Sequence, residues 1–389
     1  MRANKMIIKK IFEIVFFIAL FLCVLSFSYE HTLFVYDDAI MHESFRVLRD
    51  YSLALFSIKF VYDIIAKNIK MRELIVIIVL LPLLIYLMVC FYDWDITTMR
   101  FRNIAIFSLL MVSGSDINYR KIIRYVLLFL LISYLSVIII YLLGYLKNWT
   151  KLEISRYRQF LGFSWADIAY RFLFIVMYYI YYRGKKICSI ELFILFAICL
   201  CLFSFTGARA PFMFTNLLIL LSLLLRNSIA FEKWITSQIG MVVVITFLIP
   251  IFVVIINLLY NQNNQLMLGM NKLLSGRLQL GNEGILNNGV NLFGNYIEFI
   301  GGFGLNGYYD FVDSGFLNFL LIYGVIAYVV LTVMLLYFAS LIYIKKDIYM
   351  FVVFVVLLVF SINDLGITEM ISNYFLFVLS YKNSTFLNT

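Results

Sequence analysis

Apolar runs about as long as a bilayer is thick follow one another along almost the whole chain, and one long polar stretch, between Asn261 and Phe316, interrupts them. Such runs leave few folds open. In lipid only helices and closed barrels satisfy their own backbone polar groups, and these unbroken runs lack the period-two alternation of barrel strands. The chain is 64% hydrophobic and 14% charged, with a mean hydropathy of +0.97, which is beyond the range of soluble cores. The expected fold class is therefore all-α, a polytopic integral membrane helix bundle.

Apolar windows place about twelve (10–12) spans, at 9–28, 47–65, 73–92, 97–113, 123–144, 165–182, 188–205, 209–225, 236–259, 315–340, 348–363 and 367–381. The second carries Lys59 and Asp63, and the last two are short. Arg2, Lys5, Lys9 and Lys10 precede a run too long for a signal-peptide core, which reads as a retained anchor. No soluble domain, linker or repeat breaks the pattern. Residues 1–389 read as a single polytopic domain, with 260–314 as a large loop between spans 9 and 10.

The net charge of +9 is distributed as topology rather than as a nucleic-acid footprint, so no nucleic-acid partner is expected. With the N-terminus cytoplasmic, eighteen of the 31 Lys and Arg fall in inner loops and twelve outside, with Lys59 inside a span. The bias is clearest in the shortest loops, at Arg183 to Lys186 and at Lys345-Lys346. The expected location is a cytoplasmic membrane, with the large loop outward. The five cysteines lie in or beside apolar segments, and His31 and His42 have no acid or thiol at ligand spacing; no metal, cofactor or disulfide is expected.

The arginines on the outer side carry the chemistry. Arg156 and Arg158 lie in the 145–164 loop, Arg209 in the 206–211 turn and Arg277 in the large loop, with Arg171 two turns into the next span. Placing guanidinium groups against the positive-inside bias has a cost. Their planar fork pairs bidentately with phosphate oxygens; the alternative is snorkelling or pairing with an acid such as Asp167. In Thr206-Gly207-Ala208-Arg209-Ala210-Pro211, Gly207 permits a tight turn. Arg209 then stands beside the amides of a helix start, an arrangement suited to anions, although a plain hairpin needs the same small residues.

In the large loop, Ser275-Gly276-Arg277 leads into what reads as a short amphipathic helix along the membrane surface. Gly301 to Gly304 reads as a flexible turn, followed by Tyr308, Tyr309 and Asp310, where either packing or an aromatic sugar platform is open. Asp313, where the chain re-enters the membrane, suits two compatible roles. It can accept a proton from a sugar hydroxyl, or Asp313-Ser314 can cap the next helix.

These motifs, in this order, resemble the O-antigen and capsular polysaccharide polymerases (Wzy-type), a family related to O-antigen ligases. The resemblance covers roughly residues 120–345 and rests on four elements. They are Arg158 followed by Gly162-Phe163; Thr206 to Arg209; Ser275 to Arg277; and Gly302 to Gly304 followed by Asp313 to Gly324. Ligases carry a histidine near the end of the large loop, where this chain has Asp313-Ser314, and this favours the polymerase.

The resemblance implies a membrane glycosyltransferase acting on undecaprenyl-diphosphate-linked oligosaccharide at the outer leaflet, with a flippase and a chain-length regulator as partners. Arg209, Arg277 and Asp313 are then the expected catalytic residues, and Arg156, Arg158, Gly207 and Gly304 the substrate-binding ones. The arginines would stabilise the departing diphosphate, and Asp313 would orient or deprotonate the acceptor hydroxyl. Two rivals stand beside this reading. A glycan ligase would transfer finished polymer, and a lipid-linked oligosaccharide flippase would need charge within its span centres, which looks sparse here.

Overall fold

A computed structural model describes residues 2–30, 32, 39–66, 105–146, 150–153, 156–163, 167–297, 311–369 and 377–383. The expected span at 73–92 lies outside these residues, as do Gly301 to Asp310. The chain divides into two compact units, Met1–Ile229 with Leu376–Thr389, and Ala230–Phe375.

The first unit holds α1 (Arg2–Glu30), α2 (Ala39–Ile65), α3 (105–113) and α4 (Tyr119–Leu142). A hairpin of β1 (Thr150–Glu153) and β2 (Arg156–Gln159) follows, then α5 (Asp167–Arg183), α6 (Ser189–Thr206) and α7 (Arg209–Asn227). The helix α8 (Ile229–Gln238) leads into the second unit, which contains α9 (Met241–Leu258), α10 (Gln265–Leu273), α11 (Arg277–Asn288), α12 (Gly315–Lys345) and α13 (Ile348–Asn363). A short α14 (Val378–Asn383) returns to the first unit, where the Ser380 hydroxyl donates to the Ile117 carbonyl at 2.5 Å.

Among the described residues, six helices are long and apolar enough to cross a membrane: α1, α4, α6, α7, α9 and α12. Only 22% of the most apolar window of α6 is buried in the protein, and its outward faces carry Ile190, Phe193 and Ile194. A face of that composition needs lipid rather than water. Helix α13 is apolar but shorter; a 3₁₀ turn at Leu365–Ile367 leads to the expected last span at 367–381, of which 370–376 lie outside the described residues.

Helix α2 coincides with the charged second window, and it neutralises its charges internally. Lys59 Nζ lies 2.5 Å from Asp63 and 3.0 Å from Asp116, whose other oxygen is 3.5 Å from Lys9. Arg49 donates to Glu30 at 2.9 Å and sits 5.1 Å over the Phe27 ring. Lys59, Asp63 and Arg49 are all at least 98% buried. Aromatic pairs, Phe16 with Phe56 and Phe12 stacked on Tyr62, hold α1 against α2. These buried charges thus lie in a helix that is not among the six apolar enough to cross a membrane.

In the second unit, α9, α12 and α13 pack together and α11 lies on α9 and α12 through glycines. A Cβ at Gly281 would stand 2.0 Å from Asn257 Oδ1, and one at Gly284 would stand 2.6 Å from Val312. A helix is present where the amphipathic one is expected, held by this small-residue face together with Leu278 and Ile285.

The longest helix is broken. Straight, the 31 residues of α12 would reach about 46 Å, against about 24 Å for the 16 of α13. Yet the Gly315 amide donates to the Asp364 carbonyl at 2.9 Å, just past the end of α13, and only Lys346 and Asp347 join the other two ends. Helix α12 must therefore bend, and the bend falls at Gly324, with φ 84° and ψ 175°. The loop 289–297 fills the break. The Asn295 amide donates to the Leu321 carbonyl (2.9 Å), while Val325 and Ile326 donate to the carbonyls of Asn291 (3.0 Å) and Leu292 (3.1 Å). Irregular backbone of this kind survives in an apolar setting only when other parts of the protein satisfy it.

Candidate functional site

Arg277 owes its position to a reversal of the chain. Ser275 and Gly276 both adopt positive φ (56° and 88°), and the Gly276 amide donates to the Asn271 carbonyl at 2.8 Å, so that Arg277 opens α11 immediately after α10. Its side chain then bridges two distant segments. Nε lies 3.2 Å from Asp313 Oδ2, Nη2 lies 3.6 Å from Asp364 Oδ2, and Nη1 donates to the Asn363 carbonyl. The three charged side chains are each about one-fifth exposed, so their attraction is only partly screened.

Two residues of the Asp313 to Asn318 motif fix its backbone locally. Gly315 allows close approach, because a Cβ there would meet the Asp364 carbonyl oxygen at 2.9 Å. Asn318 donates to the Val312 carbonyl at 3.1 Å and so ties the segment to its own helix. The capping expectation is corrected here. Ser314, not Asp313, occupies the N-cap position, and its side chain makes no capping hydrogen bond. The Ser314 hydroxyl is buried and has no hydrogen-bond partner among the described residues. Asp313 is turned instead to Arg277.

Asp364 is the residue that sequence reasoning missed. Its Oδ1 accepts the Leu365 amide at 2.9 Å, which fixes the carboxylate and leaves Oδ2 toward Arg277. Arg277 therefore faces two carboxylates, and the cluster has a formal charge of −1. The arrangement suits accepting protons or hydroxyl hydrogen bonds better than it suits an open anion site.

In the first unit, Arg158 and Arg209 come to one end. Phe160, just after β2, packs with Ala169 of α5 and with Ala208 of the turn before α7. Gly207 takes φ 59° and donates to the Phe203 carbonyl at 2.8 Å, and Thr206 Oγ1 accepts the Ala208 amide at 3.3 Å. Arg209 then opens α7, is exposed, and makes no ion pair or hydrogen bond among the described residues. A cation at the positive end of a helix is unfavourable by about 0.3–1 kcal/mol, a cost that an anion would remove.

Arg158 is half-buried; in the hairpin register its backbone pairs with that of Lys151, and the backbone of Arg156 with that of Glu153. Arg171 is structural: it is buried, donates to the Phe27 carbonyl at 3.1 Å and lies 5.9 Å over the Phe163 ring. Gly304 lies outside the described residues.

Comparison with protein-family models, curated proteins and solved structures finds no match to this chain.

Proposed function

We propose that the chain is a polysaccharide polymerase, a membrane glycosyltransferase joining undecaprenyl-diphosphate-linked oligosaccharide repeat units at the outer face of the cytoplasmic membrane. The observation that carries this reading is the cluster of Arg277 with Asp313 and Asp364, built from two of the motifs that resemble the polymerase family. In the reaction the acceptor hydroxyl oxygen forms a bond to the anomeric carbon of the growing chain. The bond from that carbon to the diphosphate breaks, and undecaprenyl diphosphate leaves with the electron pair.

Asp313 or Asp364 accepts the hydroxyl proton, and Arg277 holds both carboxylates in place until it does. Arg158, Arg209 and Gly207 stay in the proposal as contacts of the diphosphate on the resemblance, and Arg209 makes no ion pair or hydrogen bond among the described residues. Arg156 and Gly304 stay in the proposal as substrate contacts on the sequence alone. A flippase and a chain-length regulator are the proposed partners.

The test is the glycan left by a strain lacking the gene. A polymerase defect leaves single lipid-linked repeat units accessible on the outer leaflet, and the wild-type gene restores polymer where Arg277→Ala does not. Lipid-linked polymer in the mutant would instead identify a ligase. Single units trapped on the inner leaflet would identify a flippase, the reading that the buried charges of α2 favour.

A further inference from the structure

We infer that the cleft between the end of α9 and the face of α11 is a binding site for neutral oligosaccharide, and that it holds the sugars of the acceptor repeat unit. The inference rests on the proposed polymerase reading and extends it to a specific surface. The cleft has a volume of about 580 Å³, lined by the Leu258 to Asn263 segment on one side and by Gln279, Asn282 and Glu283 on the other. That volume lies within the roughly 300–1,000 Å³ of sites for small ligands.

Its chemistry is selective. The polar lining is carboxamide, one carboxylate and the Tyr260 phenol, with no lysine or arginine, so it offers no cation to a diphosphate or an anionic headgroup. A carboxamide presents a donor and an acceptor side by side, and vicinal sugar hydroxyls present the same pair. Gln279, Asn282 and Glu283 stand at i, i+3 and i+4, on one face of α11, while Gly281 and Gly284 pack against α9 and α12.

The amides are arranged rather than merely abundant. Asn261 and Asn264 are accounted for by the turn, accepting backbone amides at 2.9 and 3.0 Å. The side chains of Gln262 and Asn263 serve neither the turn nor a helix end, and make no hydrogen bond among the described residues. Asn282 is held by donating to the Asn257 carbonyl at 2.8 Å, and Gln279 by donating to Glu283 Oε1 at 2.8 Å. Each keeps its amide oxygen for a ligand, and Glu283 keeps Oε2. Arg277 opens the same helix on the face of Gly281 and Gly284, opposite the cleft and one helix diameter (roughly 10–12 Å) away. An oligosaccharide held in the cleft spans that distance to present a hydroxyl to the charged cluster.

The probe is the repeat-unit oligosaccharide released by mild acid from the lipid-linked intermediates of the deletion strain, labelled at its reducing end. Binding is measured to the purified full-length protein in nanodiscs. The expected result is that Asn282→Leu and the pair Gln262→Ala with Asn263→Ala each weaken binding at least tenfold. Pyrophosphate should not compete, anionic phospholipid in the nanodisc should change nothing, and the variants should yield shortened polymer in cells. Elution of each variant as wild type excludes misfolding.

Wild-type binding and wild-type polymer in these variants, in a host where deletion abolishes polymer, overturns the cleft and leaves the polymerase reading intact. No polymer phenotype on deletion sinks that reading; the cleft then stands or falls on a panel of neutral oligosaccharides bound by wild type and lost by the variants. Competition by pyrophosphate, or binding that follows anionic lipid, overturns it as a sugar site.

Discussion

Replacing Gly324 by Ala tests the break in α12 directly. The backbone there, φ 84° and ψ 175°, lies in a region that is nearly closed to other residues, and occupying it costs about 1–3 kcal/mol. A Cβ would stand 2.2 Å from the Gly294 nitrogen and 2.5 Å from the Leu292 oxygen. Both are backbone atoms, so no rotamer change relieves the clash and the loop must withdraw. Withdrawal gives up the bonds from Val325 and Ile326 to Asn291 and Leu292, each worth about 0.5–1.5 kcal/mol net. The backbone strain acts with the loop docked or withdrawn, so exchange reads the two lost bonds, about 1–3 kcal/mol together. Because each 1.4 kcal/mol is a factor of about ten, amide exchange at Val325 and Ile326 should accelerate by roughly 5-fold to 150-fold. Gly269→Ala is the matched control. Gly269 lies in α10 with nothing within 4 Å of a new Cβ, so its substitution should be neutral or stabilising by up to about 1 kcal/mol. Wild-type exchange at Val325 and Ile326 in Gly324→Ala would refute the claim that the loop is locked to the break.

At the charged cluster, Arg277→Lys should recover little of the polymer lost in Arg277→Ala, because an ammonium cannot face Asp313, Asp364 and the Asn363 carbonyl together; full activity in Lys, read on gels, would show that charge alone suffices. Asp313→Asn keeps an acceptor for Arg277 Nε and should cost under about 1 kcal/mol in thermal stability, yet polymer should fall strongly if Asp313 handles the proton. Ser314→Ala should change stability by far less than the 0.5–2 kcal/mol, roughly, of a lost cap, and a larger drop on melting would reinstate the cap. In the first unit, Lys59→Met removes the cation that Asp63 and Asp116 share and should destabilise by about 3–5 kcal/mol, whereas Asp63→Leu leaves Lys59 with Asp116 and should cost less; equal losses in thermal melts would mean that Asp116 is not part of the network. A reporter fused after Asn264 should lie outside and one after Lys346 inside, and the reverse would place the cluster on the wrong side of the membrane for a lipid-linked substrate made available outside.

Helix identity was readable from the chain because apolar length alone marks a helix in lipid. The break at Gly324 was not, since a glycine between Tyr323 and Val325 leaves the window as apolar as before, and hydropathy records composition rather than dihedrals. Arg277 and Asp313 were picked out by their polarity at the edges of a long loop, but their pairing is a tertiary fact. Asp364 escaped notice because it sits in a run of residues read as the gap between two short spans. One signal was available: an acid ending a span on the same expected side as the loop arginine. The Asp313-Ser314 cap was a sound local inference that lost to a charge partner on another helix.

The neutralised charges of α2 bear on how the protein is made. Lys59 and Asp63 offset each other within α2 through their i,i+4 pair, but Arg49 finds its carboxylate only on α1, so its charge opposes lateral release of α2 into lipid as an isolated segment. Helix α1 is long and apolar enough to cross a membrane and can enter by itself. It also brings Glu30 and the Phe27 ring to Arg49, and Lys9 to the place where Asp116 later arrives. Insertion should therefore be ordered. The first helix waits at the exit of the translocon, the second leaves only when docked on it, and the segment bearing Asp116 closes the network once it is synthesised. A chain deprived of its first helix should stall at the second.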